Sequence, residues 1–352
     1  MPHIERTHPA SDTGHSFGTQ HAYAQMFQMI FGATISQIVH TAALYSLPEH
    51  LAQGRATPAE IAAAESLHVD ATFRLMRACA AIGLMTYDGQ AKFAATPLLH
   101  TLHTDAAHSL RGLALVIPAP GHWLPWGRLR DAIKTGAPQA IATLGRSLWD
   151  YLADTPIEAA AFTDAMQGTS VVVNRDAARL VDTHSVRVTV DVGGASGTLL
   201  HALMEANPAL QGVVFDLPHV VPFATAASRE RGLHERCAVV AGDFFVTPLP
   251  PADLFLLTLI LHDWNDDACR AILCNCRRSL SPGGRILVVE QLIDAIGTPG
   301  LTPLLDVNML VTLGGRERNL DECTALFAAA GFRLASATPT STPFVLLEAV
   351  AV

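Results

Sequence analysis

The spacing of apolar residues divides the chain into a helical region and a region in which strands and helices alternate. Up to residue 178 the apolar positions recur mostly every three or four residues, which predicts helices. From residue 179 onward, short apolar runs alternate with helical stretches, and this alternation predicts an α/β domain. Its sheet should be open and mostly parallel, with helices on both faces. The first 18 residues lack an apolar run and predict a disordered tail.

Five apolar runs in the second region predict strands of this sheet. The runs are Val188–Val192, Gly212–Phe215, Ala238–Ala241, Asp253–Leu261 and Gly284–Glu290. The fourth is the most apolar, which predicts a central strand. Ligands of such sheets bind at the carboxyl ends of the strands, so the residues that follow these runs are candidates for a binding site.

Two short helices and a hairpin in the first region predict a winged helix-turn-helix. Thr57-Pro58-Ala59-Glu60 has the residues of a helix start, with Thr57 as the cap. A second helix follows, and then a hairpin with the turn Asp88-Gly89. The second helix offers DNA only two basic side chains, Arg74 and Arg77, so a packing module is favoured over a DNA-binding one.

The segment between Thr13 and Leu47 contains no Asp, Glu, Lys or Arg. It is long enough to span a bilayer, but polar residues such as Gln37 and His40 interrupt it. An apolar helix without charges usually packs against another subunit. We therefore expect a buried or dimer-interface helix, and no membrane span.

Composition narrows the class of protein further. The 352 residues are 50% apolar and 16% charged, with a mean hydropathy of +0.29, which is enough for two domains with large cores. A net charge of −9 argues against nucleic acid as a partner. Six cysteines without a CxxC pair resemble neither a secreted disulfide framework nor a zinc site. These features predict a reduced, cytoplasmic protein.

Small and acidic residues follow the first three predicted strands and favour a nucleoside ligand. The turn Gly193-Gly194-Ala195-Ser196-Gly197 follows the first strand, and its small residues let a ligand approach the backbone. Ala195 and Thr198 stand where the dinucleotide fingerprint GxGxxG needs its later glycines. Asp216 and Asp243 end the second and third strands, where carboxylates can accept hydrogen bonds from ribose hydroxyls and from the adenine side.

The segment Asp191-Val192-Gly193-Gly194-Ala195-Ser196-Gly197 closely resembles the first motif of the class I S-adenosylmethionine-dependent methyltransferases. Later segments appear in the order of one branch, the small-molecule O-methyltransferases similar to caffeic acid and hydroxyindole O-methyltransferases. These segments are Phe215-Asp216-Leu217-Pro218, Gly242-Asp243-Phe244-Phe245, Leu261-His262-Asp263-Trp264, Ser281-Pro282-Gly283-Gly284-Arg285 and Gly314-Gly315-Arg316-Glu317-Arg318.

The resemblance implies a domain organisation and a cofactor. Residues 19–178 would form a winged-helix dimerisation domain that exchanges helices with the partner subunit of a homodimer and closes the substrate pocket. Residues 179–352 would form the Rossmann-like catalytic domain. This domain would bind S-adenosylmethionine and release S-adenosylhomocysteine.

The resemblance also implies the catalytic residues. His262 would act as the general base that takes the proton from a phenolic or enolic hydroxyl, as the oxygen attacks the methyl carbon in line. Glu290 and Glu317 match the acids that flank this histidine and hold its tautomer. Asp263 would assist, or would instead cap the helix that starts near Asp266. The other histidines show no HxH or HExxH spacing, so no metal is expected.

The matching positions also define a cofactor site, with two departures from the family pattern. The expected cofactor residues are Asp191, Gly193, Gly194, Gly197, Asp216, Leu217, Asp243, Phe244 and Thr258. Plant members carry a lysine and a tryptophan where this chain has Thr258 and Leu259, and Ala195 replaces a glycine. We expect weaker or differently shaped cofactor binding from these departures, and not its loss.

A low-charge pocket predicts a flat aromatic substrate. The candidate pocket residues are Met26, Phe27, Trp123, Trp126, Phe162, Met166, Asn308 and Met309. Their identities do not distinguish one aromatic metabolite, hydroxyl or pathway from another. N-methylation stays open, because the same pocket could hold either nucleophile. Relatives with hydroxylating, decarboxylating or pericyclic chemistry often lose the base, so His262 argues against them, and the lack of a basic face argues against a winged-helix regulator.

Overall fold

The structure, a computed structural model, describes residues 13–107 and 109–352. The contacts divide the chain into two compact units, an N-terminal unit up to Ala106 and a C-terminal unit from Ala107 onward. The expected boundary at 178/179 falls within a helix described below. Of the expected tail, residues 1–12 lie outside the described residues, and residues 13–18 belong to the first helix.

The N-terminal unit is mainly helical. Its elements are α1 (Thr13–Ile30), α2 (Gly32–Leu44), α3 (Leu47–Ala52), α4 (Pro58–Glu65), α5 (Val69–Ala81), β1 (Met85–Tyr87), β2 (Phe93–Ala95) and α6 (Pro97–His100). The predicted start of α4 is confirmed, because Thr57 and Glu60 form a complete capping box. The predicted hairpin is confirmed as well, since β1 and β2 pair antiparallel around Asp88-Gly89.

The segment without charges forms two helices instead of one. Residues Gln20–Ile30 and Gly32–Leu44 meet at a bend of 48°, and across the described residues no single helix has the length and apolar character to cross a bilayer. The part of α1 from Tyr23 to Ile30 exposes a series of large apolar side chains, among them Tyr23, Met29 and Ile30.

The C-terminal unit is an α/β layer structure. Its helices are α7 (Arg111–Val116), α8 (Pro120–Trp126), α9 (Leu129–Thr135), α10 (Ala140–Leu144), α11 (Leu148–Ala153), α12 (Pro156–Leu180), α13 (Thr198–Ala206), α14 (Val221–Glu230), α15 (Asp266–Ser279), α16 (Thr302–Thr312) and α17 (Leu320–Ala329). Its strands are β3 (Val188–Val192), β4 (Gln211–Asp216), β5 (Cys237–Ala241), β6 (Ala252–Thr258), β7 (Leu280–Gln291), β8 (Phe332–Pro339) and β9 (Phe344–Ala351).

The strands form one sheet in the order β5-β4-β3-β6-β7-β9-β8. The first five are parallel, and β9 pairs antiparallel with both β7 and β8. Alternate residues of the central strand β6 serve opposite faces, with Phe255 and Leu257 in one buried cluster and Leu254 and Leu256 in another. The predicted mostly parallel sheet, covered on both faces, is confirmed.

Helix α12 crosses the expected domain boundary. It runs unbroken from Pro156 to Leu180, past the boundary at 178. Val173 and Ala177, both fully buried, belong to the same apolar cluster as Leu254 of β6. The end of α12 therefore packs on the sheet, and the helical segment from Ala107 onward belongs to the unit that contains the sheet.

Candidate active site

The glycine-rich turn joins β3 to α13 at the carboxyl edge of the sheet. Gly193, Ala195 and Gly197 have φ angles of 67°, 49° and 73°. A Cβ on Gly193 would come within 2.6 Å of Ile260, and one on Gly197 within 2.7 Å of Val214. These two positions require glycine, whereas Ala195 accepts a left-handed conformation despite its side chain.

The carboxylate of Asp216, at the end of β4, holds this turn in place. Its Oδ2 accepts a hydrogen bond of 2.8 Å from the N–H of Ala195, and its Oδ1 accepts one of 2.7 Å from the N–H of Leu217. Burial raises the pKa of Asp216. A carboxylate has about four acceptor positions, so both oxygens can still accept from ribose hydroxyls.

Asp191 on β3 and Thr258 at the end of the neighbouring strand β6 each have one buried side-chain oxygen, Oδ1 and Oγ1 respectively, without a hydrogen-bond partner among the described residues. Asp191 packs against Gly194, where an added Cβ would lie 2.5 Å from its carboxyl carbon. Burial, and then the charge of Asp216, raise the pKa of Asp191 to about 7. Unpaired buried polar atoms call for a further partner such as water or a ligand.

The end of β5 adds an acid and an aromatic ring to the same edge. Asp243 accepts a hydrogen bond of 2.8 Å from the N–H of Phe245 through its Oδ1. The ring of Phe244 lies beside Gly193, 3.6 Å from where a Cβ would be, and meets Trp264 edge to face with centroids 6.0 Å apart. The expected cofactor residues of β3, β4, β5 and β6 therefore converge on one edge of the sheet.

The expected strand limit at Leu261 would place His262 directly after β6, but the structure places it further on. The strand stops at Thr258, Leu259 turns into the left-handed region with φ 55°, and His262 lies on one 3-10 turn, Leu261–Asp263. Glu290 on β7 binds the main chain of this turn. Its Oε1 accepts from the N–H groups of Leu261 at 2.9 Å and His262 at 3.3 Å.

The ring of His262 lies between two carboxylates. Its Nδ1 is 2.9 Å from Oε1 of Glu317, and its Nε2 is 3.4 Å from Oδ1 of Asp263. An ionised carboxylate only accepts hydrogen bonds, so Nδ1 is the donor to Glu317. In the neutral ring the lone pair then resides on Nε2, which is the atom able to take up a proton.

The three acids change the protonation of this cluster. Burial alone would lower the pKa of His262, but the charges of Glu290, Asp263 and Glu317 outweigh it and raise that pKa to about 10. Burial raises the pKa of Glu290 to about 7 and that of Asp263 to about 6, against the opposing effect of His262. The cluster therefore binds protons as a coupled unit.

Asp263 does not cap the helix that follows, which was its alternative role. Asn265 caps α15 instead, with its Oδ1 accepting from the N–H of Ala268 at 3.0 Å. Asp263 is buried beside the imidazole. The correction places Asp263 with the catalytic candidates.

His262, Glu290 and Glu317 also have donor atoms within 4.8 Å of one another, the kind of group that a metal ion can use. Hydrogen bonds already engage these groups, because Glu317 accepts from the imidazole and Glu290 accepts from two main-chain N–H groups. The other oxygen of each glutamate, Oε2, is buried without a hydrogen-bond partner among the described residues.

The candidate pocket residues fall into separate groups. Trp126 on α8 donates a hydrogen bond of 2.7 Å from Nε1 to Asn308 on α16, where Met309 is buried. Phe162 and Met166 on α12 pack in apolar clusters of the C-terminal unit. The remaining residues are largely exposed: Trp123 on α8, and Met26 and Phe27 on α1 of the N-terminal unit.

Sequence reasoning missed the part played by two residues of the segment 314–318. A Cβ on Gly315 would lie 2.0 Å from the carbonyl oxygen of His262, so this glycine packs directly on the turn that carries His262. The guanidinium of Arg318 donates to the carbonyl oxygens of Leu261 and Trp264. The run Gly-Gly-Arg-Glu-Arg is the only sequence signal for these contacts, and it does not indicate which main chain they reach.

Two family models together match most of the chain. A model of the O-methyltransferase domain matches residues 126–333, and a model of the O-methyltransferase dimerisation domain matches residues 27–105. The second match covers the winged-helix elements from within α1 to α6. Both matches agree with the expectation from the sequence motifs.

Named relatives and solved structures match over nearly their whole length. A phenazine O-methyltransferase of Lysobacter antibioticus is 32% identical over 92% of this chain and 95% of that protein. Human N-acetylserotonin methyltransferase in complex with S-adenosylmethionine superposes with a TM-score of 0.84 at 29% identity, over 94% and 97% of the two chains. A neocarzinostatin-biosynthesis O-methyltransferase, bound to S-adenosylmethionine and 2-hydroxy-5-methyl naphthoic acid, superposes with a TM-score of 0.81 at 34% identity. The match covers 91% of this chain and 96% of that chain.

Proposed function

Because the chain belongs to the S-adenosylmethionine-dependent O-methyltransferases, we propose that it methylates a hydroxyl of a small phenolic or enolic metabolite, with His262 as the general base. S-adenosylmethionine is the cofactor. One observation carries the proposal. The imidazole lies beyond the carboxyl end of β6, and its Nδ1 is engaged by Glu317, so Nε2 remains for the substrate's proton.

The residues at the carboxyl edge of the sheet fit the cofactor. The turn Gly193–Gly197, the carboxylates of Asp216 and Asp243, and the ring of Phe244 would hold it. The unpartnered oxygens of Asp191 and Thr258 supply further polar contacts at this edge. When bound, S-adenosylmethionine supplies an electrophilic methyl group on a positively charged sulfur.

His262 handles the proton of the substrate. Nε2 accepts the hydroxyl proton, which makes the oxygen a better nucleophile. The imidazolium that results is stabilised by Glu317 at Nδ1 and by Asp263 at Nε2. Phenols have a pKa near 10, and the pKa of His262 is raised to about 10, so the proton passes between them at little cost in free energy. Positioning of the two reacting groups supplies much of the remaining rate.

An aromatic substrate is favoured by the relatives and by the pocket candidates. The names of the relatives include a phenazine and a naphthoate O-methyltransferase. In this chain the indole of Trp126, held by Asn308, offers a flat apolar surface of the kind that packs against an aromatic ring.

Replacement of His262 tests the proposal. We expect His262→Ala to lower the rate of methyl transfer to a phenol panel by about 10²–10⁴-fold, the range of a general base. Calorimetric affinity for S-adenosylmethionine should stay nearly unchanged. His234→Ala, at an exposed position, serves as the control. A collapse of cofactor affinity in His262→Ala, or full activity, contradicts the role of base.

A further inference from the structure

The contacts of Arg318 go beyond those needed to hold its own segment. We propose that Arg318 is a positioning residue for His262, because its guanidinium holds both ends of the turn that carries the imidazole. The inference rests on the proposed role of His262 as the base. Arg318 itself donates to main-chain carbonyl oxygens and to Asp266, and not to a reacting group.

The guanidinium donates hydrogen bonds to the main chain on both sides of His262. Nη1 donates to the carbonyl oxygen of Leu261 at 2.8 Å, one residue before His262. Nη2 donates to the carbonyl oxygen of Trp264 at 2.8 Å, two residues after it. The main chain of the turn is thus tied at its beginning and at its end.

A third partner fixes the guanidinium itself. Oδ1 of Asp266, in the first turn of α15, accepts from Nε at 3.0 Å and from Nη2 at 2.8 Å. Arg318 is 5% exposed, so water does not compete strongly for these bonds. The guanidinium therefore links the 3-10 turn to the start of the next helix.

The fork shape of arginine is needed for this pattern of contacts. Three nitrogen atoms in one plane donate hydrogen bonds to three acceptors that lie in different directions, the oxygens of Leu261, Trp264 and Asp266. A lysine ammonium is a compact charge on a flexible stem and cannot reach all three acceptors in fixed directions. Arg318→Lys is therefore expected to keep the charge and to lose part of the positioning.

The neighbours of Arg318 act on the same turn. The N–H of Arg316 donates to the carbonyl oxygen of His262 at 2.9 Å, and Glu317 receives Nδ1 of the ring. One short segment therefore fixes the main chain of His262 and the orientation of its imidazole together. Loss of the guanidinium removes two of the main-chain hydrogen bonds of the turn while Glu317 still holds the ring, so the imidazole shifts relative to the substrate.

Steady-state kinetics of the full-length protein, with a phenol from the panel that the wild type methylates, test the inference. We expect Arg318→Met to lower kcat by about 10²-fold, the effect of a misplacement near 1 Å. Arg318→Lys should lower kcat by a smaller factor, on the order of 10-fold. KM for S-adenosylmethionine should change little in either variant, and the acid limb of the pH–rate profile should move.

Arg277→Met is the matched control for a loss of stability. Arg277 also donates to main-chain carbonyl oxygens, those of Gly331 and Val352, but near the other end of α15. Its removal should lower the melting temperature without the change in kcat or in pH profile. Nitrogen-15 NMR of the histidine rings reports the hydrogen bond of His262 Nδ1 without any substrate, and should show a changed signal in both Arg318 variants.

The outcomes separate this inference from the proposed function. If wild type methylates no phenol in the panel, the proposed function fails, and the NMR signal of His262 still tests the positioning. The inference is overturned if Arg318→Lys keeps the kcat, the pH profile and the histidine signal of the wild type. It is also overturned if the loss of kcat in the Arg318 variants merely equals that of Arg277→Met at the same loss of melting temperature.

Discussion

Around His262, single residues determine how much charge the site carries. Three carboxylates surround one imidazole, and together they raise the pKa of His262 to about 10, although burial acts in the opposite direction. A base of this strength suits a weakly acidic hydroxyl, but it is protonated over most of the physiological range. The rate should therefore depend on pH through this cluster.

Asp263 allows the pH dependence to be tested. Only the neutral imidazole accepts a proton, so kcat/KM should rise with pH, with a midpoint above the ordinary histidine pKa near 6.5. Asp263→Asn removes one negative charge beside Nε2, lowers the pKa of His262, and should move the rising limb to lower pH. The limb is read from pH–rate profiles at saturating S-adenosylmethionine.

An exposed aspartate provides the control for that profile. Asp267, in the first turn of α15, pairs with Arg270 at the surface. Asp267→Asn should leave the limb where it is. If the limb stays fixed in Asp263→Asn too, it belongs to the substrate hydroxyl and not to His262.

Asp216 is the residue whose removal should weaken cofactor binding most directly. It holds the N–H of Ala195 and retains acceptor positions for ribose. Asp216→Ala should lower the calorimetric affinity for both S-adenosylmethionine and S-adenosylhomocysteine, with Asp243→Ala for comparison at the next strand. Unchanged affinity in Asp216→Ala would refute its role at the ribose.

At the scale of elements, the ends of strands and helices position the chemistry. β6 ends at Thr258, and the chain then forms the turn that carries His262, where Glu290 of β7 accepts from the N–H groups of Leu261 and His262. The segment 314–318 packs on that turn as well. Glycine is needed at 315 because two main chains meet there.

A substitution at Gly315 tests this contact between elements. A Cβ in Gly315→Ala would lie 2.0 Å from the carbonyl oxygen of His262, so one main chain must move. We expect about a 10²-fold loss of kcat, with far-UV circular dichroism unchanged. Gly300→Ala is the control, since an added Cβ there meets nothing within 4 Å. Wild-type kcat in Gly315→Ala would show that the close approach is not required.

At the scale of the whole molecule, the first helix presents an apolar surface that a monomer would leave in water. Tyr23, Met29 and Ile30 are 73%, 64% and 68% exposed. The match of residues 27–105 to a dimerisation domain supports a homodimer formed through this unit. Such a dimer would cover apolar area that is costly to expose.

Light scattering after size exclusion tests the dimer. The wild-type protein should have about twice the mass of the 37.5 kDa chain. The double variant Met29→Glu with Ile30→Glu places charges on the apolar surface and should shift the protein toward the mass of one chain. Val246→Glu, at an exposed apolar position of the C-terminal unit, should stay dimeric. A monomeric wild-type protein would contradict the proposal.

The sequence by itself determined many of the local elements, among them five strands of the seven-stranded sheet. The strand runs, the capping box of Thr57 and the glycine-rich turn follow from periodicity and from hydrogen bonds between residues close in the chain. The motif resemblance carried the cofactor and the reaction type, because motif residues lie at the carboxyl ends of successive parallel strands.

Only the tertiary structure decided which residues bind the turn Leu261–Asp263 that carries His262. Glu317 and Arg318 reach the turn from 55 and 57 residues away in the chain, and Glu290 from 28. It also decided that Asp263 faces the imidazole while Asn265 caps α15, and that α12 continues past residue 178 to pack on the sheet. Such contacts depend on which segments the sheet brings together, and no local pattern of residues encodes that.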